Sequence, residues 1–471
     1  MENLIDLARQ KGYPIGGLTV GQCIDLASEF GTRVSEVVIA EAVEVNKMTR
    51  EEVLSAILSA FSHNLYAVEV GATTGESFLL GGVGQELTDG EIKLNEDPFI
   101  NSALAYTLAA QVGNHCVGLQ PCAGTGDSCP YSGLVRAMLE TMDNKENVAC
   151  LTALILKVGT IFRVGKTSTG CNMEGFGAGS ATTAAVMAEM LGGTPEQVGK
   201  AIVLALSPTV AVPCTPRVMV PGLCATHIGG AILNGNLAAK LAVNTSVPVN
   251  VPVDVMISMA AAVHPESAKH IVPTVIKYME PFFRTNESVE NYVSKEVKDK
   301  EEAQIKATIA EATAEAQNLA LKANSIVKPF GDAVVGGSSQ AVGSPTNTAR
   351  MAHELAKGEI IGVKIELYPE LFARRGINVP GILMAAIYGA GTDNAKMYRS
   401  IMDKVKERKL KIEICEVEEY QLQRINVFAT EKDSFVEALN RGGGRLVLRN
   451  ASCPIDEAKS VARKLNIDVI D

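Results

Sequence analysis

From residue 20 to residue 65, apolar side chains recur at spacings of three and four, as in SEVVIAEAVEVNKMTREEVLSAILSAFSHNL, which predicts amphipathic helices. Thr49 stands three positions before Glu52, the spacing of a capping box, so a helix is expected to start there. Residues 100–150 and 170–262 are richer in Ala, Gly, Val and Met. GAGSATTAAVMAEMLGG and IGGAILNGNLAAKLAV are apolar on nearly every side. That pattern suits helices inside a helical core, where small residues let backbones approach closely. Residues 1–285 are therefore read as a mostly α domain.

Residues 286–325 break the pattern. They are charged and Ala-rich, with Glu and Lys at helical spacings, which predicts a solvated helical linker. From residue 326 the period becomes two: IIGVKIELY, LKIEICEVEE, RINVFA and RLVLR alternate as half-buried strands do. Helical patterns at 346–357 and 394–407 lie between them, and the tail reads as a short helix followed by a strand-like IDVID. Residues 326–471 are expected to form a smaller α+β domain. The fold class expected is multi-domain, a mostly α domain followed by an α+β one.

The length agrees with that division, since 471 residues exceed one ordinary core. A hydrophobic share of 47% and a charged share of 20% are those of a globular chain. A net charge of −10 argues against nucleic acid as the main partner, because phosphate binding needs a basic surface. The N-terminus lacks the apolar core of a secretory signal, and Gly, Pro or charge interrupts each apolar run before it reaches membrane-spanning length. A cytoplasmic protein without a membrane partner is expected, in which the ten cysteines are not paired as disulfides.

Three cysteines stand out by context. Cys171 lies in TGCNMEGFG; Cys214 and Cys224 bound CTPRVMVPGLC. Each sits beside Gly or Pro between apolar helices, where backbone N–H groups can hydrogen-bond a ligating thiolate. The spacing is not the compact run of a ferredoxin. On pattern alone these are buried structural cysteines, or, with His227, a zinc site.

The segment GCNMEGFGAGSATTAAVMAEMLGGTPEQVGKAIVLAL resembles the Gly-Cys-Gln-Ala-Glu segment and following Ala-rich helix of the iron–sulfur L-serine dehydratases. CTPRVMVPGLC is similar to that family's Cys-Asp-Pro stretch. QPCAGTGDSCPYSG resembles its Pro-Thr-Ala-Gly loop and VGATTGES its Gly-Leu-Thr-Gly-Gly loop. VVGGSSQAVGSPTNTARMAHEL and RGGGRLVLRN are similar to motifs of its small domain. The resemblance implies a [4Fe–4S] cluster held by Cys171, Cys214 and Cys224 in the first domain, fused to a domain of the family's beta type. It also implies β-elimination of water from L-serine or a related small amino or hydroxy acid, by an oxygen-sensitive enzyme. As a soluble enzyme it is expected to be a homodimer.

Elimination needs the substrate held still and its α-proton removed. On the residues alone, the Gly-rich segments are ordinary turns capped by Ser and Thr; with the resemblance, Gly124 and Gly126 are expected to let backbone N–H groups converge on a carboxylate, and Thr125, Ser128, Thr73 and Thr74, with Gly75, to add contacts. Glu174 falls where the family has Glu. The small-domain match adds Asn347 and Thr348, but Asn347 stands where the family carries a histidine, and Ile377 in FARRGINVPG stands at or near a second. The family's C-terminal cysteine has no counterpart. Lys166 and His227 are left as candidates for proton transfer. A cluster protein that binds without turnover and a zinc-dependent hydrolase are the alternatives.

Overall fold

Helices follow one another through the first part of the chain: α1 (Glu2–Gln10), α2 (Val20–Phe30), α3 (Val34–Asn46), α4 (Arg50–Ser59), α5 (Ser62–Thr73), α6 (Val83–Thr88), α7 (Pro98–Val117), α8 (Cys129–Thr141), α9 (Lys145–Val164), α10 (Gly179–Met190), α11 (Pro195–Leu206), α12 (Leu223–Asn244), α13 (Val253–Met279), α14 (Glu287–Glu290) and α15 (Lys295–Lys322). The computed structural model describes residues 2–77, 80–117, 129–164, 176–212, 223–279, 287–322, 334–335, 343–391, 393–440, 445–467 and 469. It divides into two compact units, Met1–Thr313 and Ala314–Asp471, so the boundary falls within α15.

Local chemistry fixes several helix starts. Capping boxes at Thr19/Gln22, Thr49/Glu52 and Thr194/Gln197 begin α2, α4 and α11, the second of them as its spacing predicts. The core of the first unit is made by all-round apolar helices, with Tyr131, Leu134, Met138, Leu154, Ile155 and Ile202 fully buried. Its few internal charges are paired. The Lys157 ammonium lies 2.7 Å from Glu41, whose other oxygen accepts from the N–H groups of Gly16 and Leu18. By length and composition the run Arg50–Thr73 could cross a membrane. In the fold it is divided into α4 and α5, with Phe61 buried between them and α5 packed along α7.

The second unit contains β1 (Val334–Val335), α16 (Gly343–Leu355), β2 (Ile360–Leu367), α17 (Pro369–Ala373), α18 (Arg375–Tyr388), α19 (Ala395–Glu407), β3 (Lys411–Glu416), β4 (Leu422–Ala429), β5 (Ser434–Asn440), β6 (Arg445–Ala451) and α20 (Ile455–Lys464). Five strands and the two-residue β1 form one sheet in the order β1-β6-β5-β4-β2-β3; β2 and β3 are parallel and the other pairs antiparallel. Val363, Ile365 and Leu367 of β2, with Ile425, Val427 and Val436, belong to a core that includes Met351 of α16, Leu383 of α18 and Ala462 of α20. The chain is thus helical first and α+β after.

Three features depart from the periodic reading. α18 forms around Gly376, Pro380 and Gly381, residues that disfavour a helix, because its buried run Ile382–Ile387 packs in the core. β5 lacks clean alternation because it buries Glu437. In the closing IDVID, the described Ile467 and Val469 lie in no strand; the Ile467 N–H instead donates to Ala462 O at the end of α20.

Candidate active site

Close helix packing brings two of the Gly-containing segments together. Cβ atoms built on Gly71 and Gly113 would stand 1.9 and 1.8 Å from the carbonyl oxygens of Ala109 and Ala67, so α5 and α7 touch through bare backbone. The chain leaving α5 then comes up to the end of α7, where a Cβ on Gly75 would stand 3.2 Å from the Cys116 sulfur. α5 ends with the Thr74 and Gly75 N–H groups both donating to Val70 O, at 3.1 and 2.7 Å. The Thr73 hydroxyl donates to Glu69 O at 2.8 Å, and Ser77 closes a tight turn with Gly81.

The Ser77 hydroxyl lies 2.6 Å from Nδ1 of His115, near the end of α7. His115 Nε2 is 2.8 Å from Nε2 of Gln111, and the Cys129 thiol donates to Gln111 Oε1 at 2.9 Å. At the next residue, the Cys116 thiol donates to Glu76 O at 3.2 Å. Ser77, Gln111 and Cys129 are buried, whereas His115 is exposed. The chain from Ser77 to Cys129 thus ties the 70–77 segment to both ends of the stretch that contains Gly124, Thr125, Gly126 and Ser128, residues that lie outside the described ones. Sequence reasoning quoted Ser77 and Cys129 within their motifs but passed over His115 and Gln111. The signal it could have used is a histidine and a cysteine together at the end of an apolar helical pattern, just before a Gly-rich stretch of sequence.

A second convergence involves α8, α10 and α12. A Cβ on Gly179, the first residue of α10, would meet Pro130 of α8 at 3.0 Å and Ala231 of α12 at 3.1 Å. α10 is preceded by one π-helical turn at 176–178, an element frequent at functional sites. The Phe176 ring there lies 5.2 Å from the ring of His227, which is buried. Cys224 occupies the first turn of α12, just before His227. Cys171, Cys214, Lys166 and Glu174 lie outside the described residues. Among the described residues no group of three His, Cys, Asp or Glu side chains converges as a metal site.

Thr73 also borders an open groove of about 700 Å³ with Glu69, Asp89, Tyr106 and Arg136. Arg136 lies over the Tyr106 ring at 5.0 Å. Burial, and then a hydrogen bond with Glu140, push the Tyr106 hydroxyl up to about 12. In the second unit, Asn347 accepts from Arg350 at 3.0 Å, and the buried Thr348 accepts from Gln423 at 3.2 Å. Ile377 is exposed at the start of α18.

No family model matches the chain. Among curated proteins it is similar to the probable L-serine dehydratase, alpha chain, of Bacillus subtilis (strain 168), with 27% identity over 245 residues, 48% of this chain and 78% of that protein. It is also similar to the L-serine dehydratase, alpha chain, of Peptoniphilus asaccharolyticus, with 25% identity over 240 residues, 48% of this chain and 81% of that protein. Over about half of its length, the chain is thus similar to the alpha chains of L-serine dehydratases.

Proposed function

We propose that the protein is a [4Fe–4S]-dependent lyase that eliminates water from L-serine or a closely related small acid. The similarity to L-serine dehydratase alpha chains, most of whose length the chain matches, carries this reading. Two features of the fold support it. The stretch containing Cys171 arrives at Phe176, which packs on His227, and Cys224 stands in the same first turn of α12. That N-terminal turn offers backbone N–H groups to a ligating sulfur, so the donor set of Cys171, Cys214 and Cys224 suits a cluster. When bound, a cluster held by three thiolates supplies an iron with an open position, a Lewis acid toward a hydroxyl oxygen.

The protein's own residues hold the substrate. We assign the carboxylate to Gly124–Ser128, with the Thr74 hydroxyl as a further donor, and the ammonium group to Glu174. The beta-type role of the second unit is part of the same proposal, as are the homodimer and the cytoplasmic location.

The test uses anaerobically purified protein. Iron and sulfide are measured, then pyruvate and ammonia release from L-serine in the same sample. About four irons per chain with product is the expected result. A Cys171/Cys214/Cys224→Ser triple variant should lose the iron and the visible absorption. Iron retained by that variant sinks the ligand assignment, and loaded protein that releases no pyruvate sinks the reaction.

A further inference from the structure

Lys166 and His227 stood in the sequence as candidates for removing the α-proton; the structure describes the second, whose ring packs against that of Phe176, a contact to a hydrocarbon face with no hydroxyl or carboxylate to relay a proton. The exposed imidazole at the junction of the two Gly-containing segments is His115. We propose that Ser77 and His115 form the proton-transfer pair of this site, with Ser77 touching the substrate and Gln111 holding the ring. The proposal rests on the lyase reading above.

The geometry is that of a hydroxyl, an imidazole and a carboxamide in line, joined at 2.6 and 2.8 Å. Among the described residues, Ser77 meets one ring nitrogen and Gln111 the other, so the ring is held in orientation. Which nitrogen carries the proton depends on the carboxamide. With the Gln111 N–H turned to Nε2 and Oε1 toward the Cys129 thiol, the ring's proton sits on Nδ1 and is offered to Ser77. With the carboxamide turned over, Oε1 accepts from Nε2–H, and Nδ1 accepts the Ser77 hydroxyl proton. The two ends of a carboxamide are equal in shape, so the site accommodates both arrangements. The second makes Ser77 a base.

In that arrangement the Cα–H bond breaks and its proton forms a new O–H bond on Ser77, as the original Ser77 proton passes to Nδ1. The C–H electron pair becomes the Cα–Cβ double bond while the Cβ–O bond breaks. The imidazolium, bonded through Nε2–H to Gln111, returns one proton by the same path to the departing hydroxide, which leaves as water. The protons balance, and no oxidant, reductant or further reactant is needed. The Ser77–Gly81 turn and the Cys116 contact to Glu76 keep Ser77 at the junction.

The experiment compares the cluster-loaded parent with Ser77→Ala, His115→Asn and His115→Ala. Asn carries a polar atom where Nδ1 stands, so it preserves a merely structural bond to Ser77 but cannot take up a proton. The expected result is a kcat lower by about a hundredfold or more in all three, with KM and iron content within about twofold of the parent. The limb of the pH–rate profile set by the imidazole should vanish in His115→Asn, and added imidazole should restore part of the rate of His115→Ala. Three results overturn the pair while leaving the lyase reading intact: near-parental turnover by Ser77→Ala, near-parental turnover by His115→Asn, or loss of iron together with activity, which marks a structural role. A loaded parent that releases no pyruvate overturns the lyase reading itself, and the pair with it.

Discussion

A Cβ on Gly113 would stand 1.8 Å from the Ala67 carbonyl oxygen and 2.7 Å from its carbon, both backbone atoms that no side-chain rotation can move. Gly113→Ala must therefore push α5 away from α7. Forcing a methyl group into a filled contact costs about 1–3 kcal/mol. The displacement falls where Ser77 meets His115, so the site should suffer beyond the loss of stability. The expected outcome is a lower midpoint in thermal unfolding, together with a kcat reduced more than the folded fraction explains. Gly82 is a control, because a Cβ there meets only the flexible end of Glu86 at 3.8 Å. Gly82→Ala should leave both quantities close to the parent. A parental midpoint in Gly113→Ala would show that the two helices are not in backbone contact.

At the scale of elements, the sheet of the second unit has two unlike faces. One packs apolar side chains into the core; the other carries a cross-strand row in which Glu366 opposes Arg424, Arg424 opposes Glu437, and Glu437 opposes Asn450. Glu437 takes hydrogen bonds from Arg424 and from Asn450, the latter at 2.6 Å, and lies 3.8 Å from Arg449. Burial pushes its carboxyl up, but the Arg424 and Asn450 hydrogen bonds and the two guanidinium charges outweigh burial and hold it below the usual carboxylate range. A folded-state pKa below the unfolded one contributes stability above the unfolded value, and that stability is lost as pH falls through the folded value. Glu437→Gln should therefore destabilise the protein by about 2 kcal/mol at pH 7, less than a fully buried pair because Arg424 is partly exposed, and by much less at an acid pH below the folded value. Urea unfolding of parent and variant at both pH values measures this, and an equal difference at both would remove the ion pair as its cause. The same residue explains why β5 was not legible in the sequence. β2, β3, β4 and β6 show a plain period of two, whereas β5 reads SFVEALN and hides a carboxylate that only its neighbours make tolerable. Likewise, α18 was hidden by Pro380, whereas the capping box at Thr49 was visible because both of its partners lie within one turn. The site divides in the same way. Gly-rich segments announce themselves locally, but the Ser77–His115 pairing is made by α5 lying along α7, a contact between residues far apart in sequence.

At the scale of the whole chain, the boundary between the two units falls within α15, a helix of 28 residues with no buried residue. It has no apolar face against either core, so its stability rests on its Ala-rich sequence and on pairs such as Lys306 with Glu302 at 2.6 Å. Such pairs contribute about 0.3–0.5 kcal/mol each, far less than burial gives the core helices. Local opening of α15 should therefore be much easier than opening of α7, α8 or α10. It also carries several lysines, from Lys295 to Lys322. Limited trypsin digestion should cut within α15 well before the core helices and release two fragments, one holding the helical unit and one holding the sheet. N-terminal sequencing of the second fragment locates the cut. If the assignment of Cys171, Cys214 and Cys224 is right, the anaerobic digest should leave all the iron with the first fragment. First cuts inside α8–α10, at rates equal to those in α15, would mean that this helix is held by contacts as firm as those of the core.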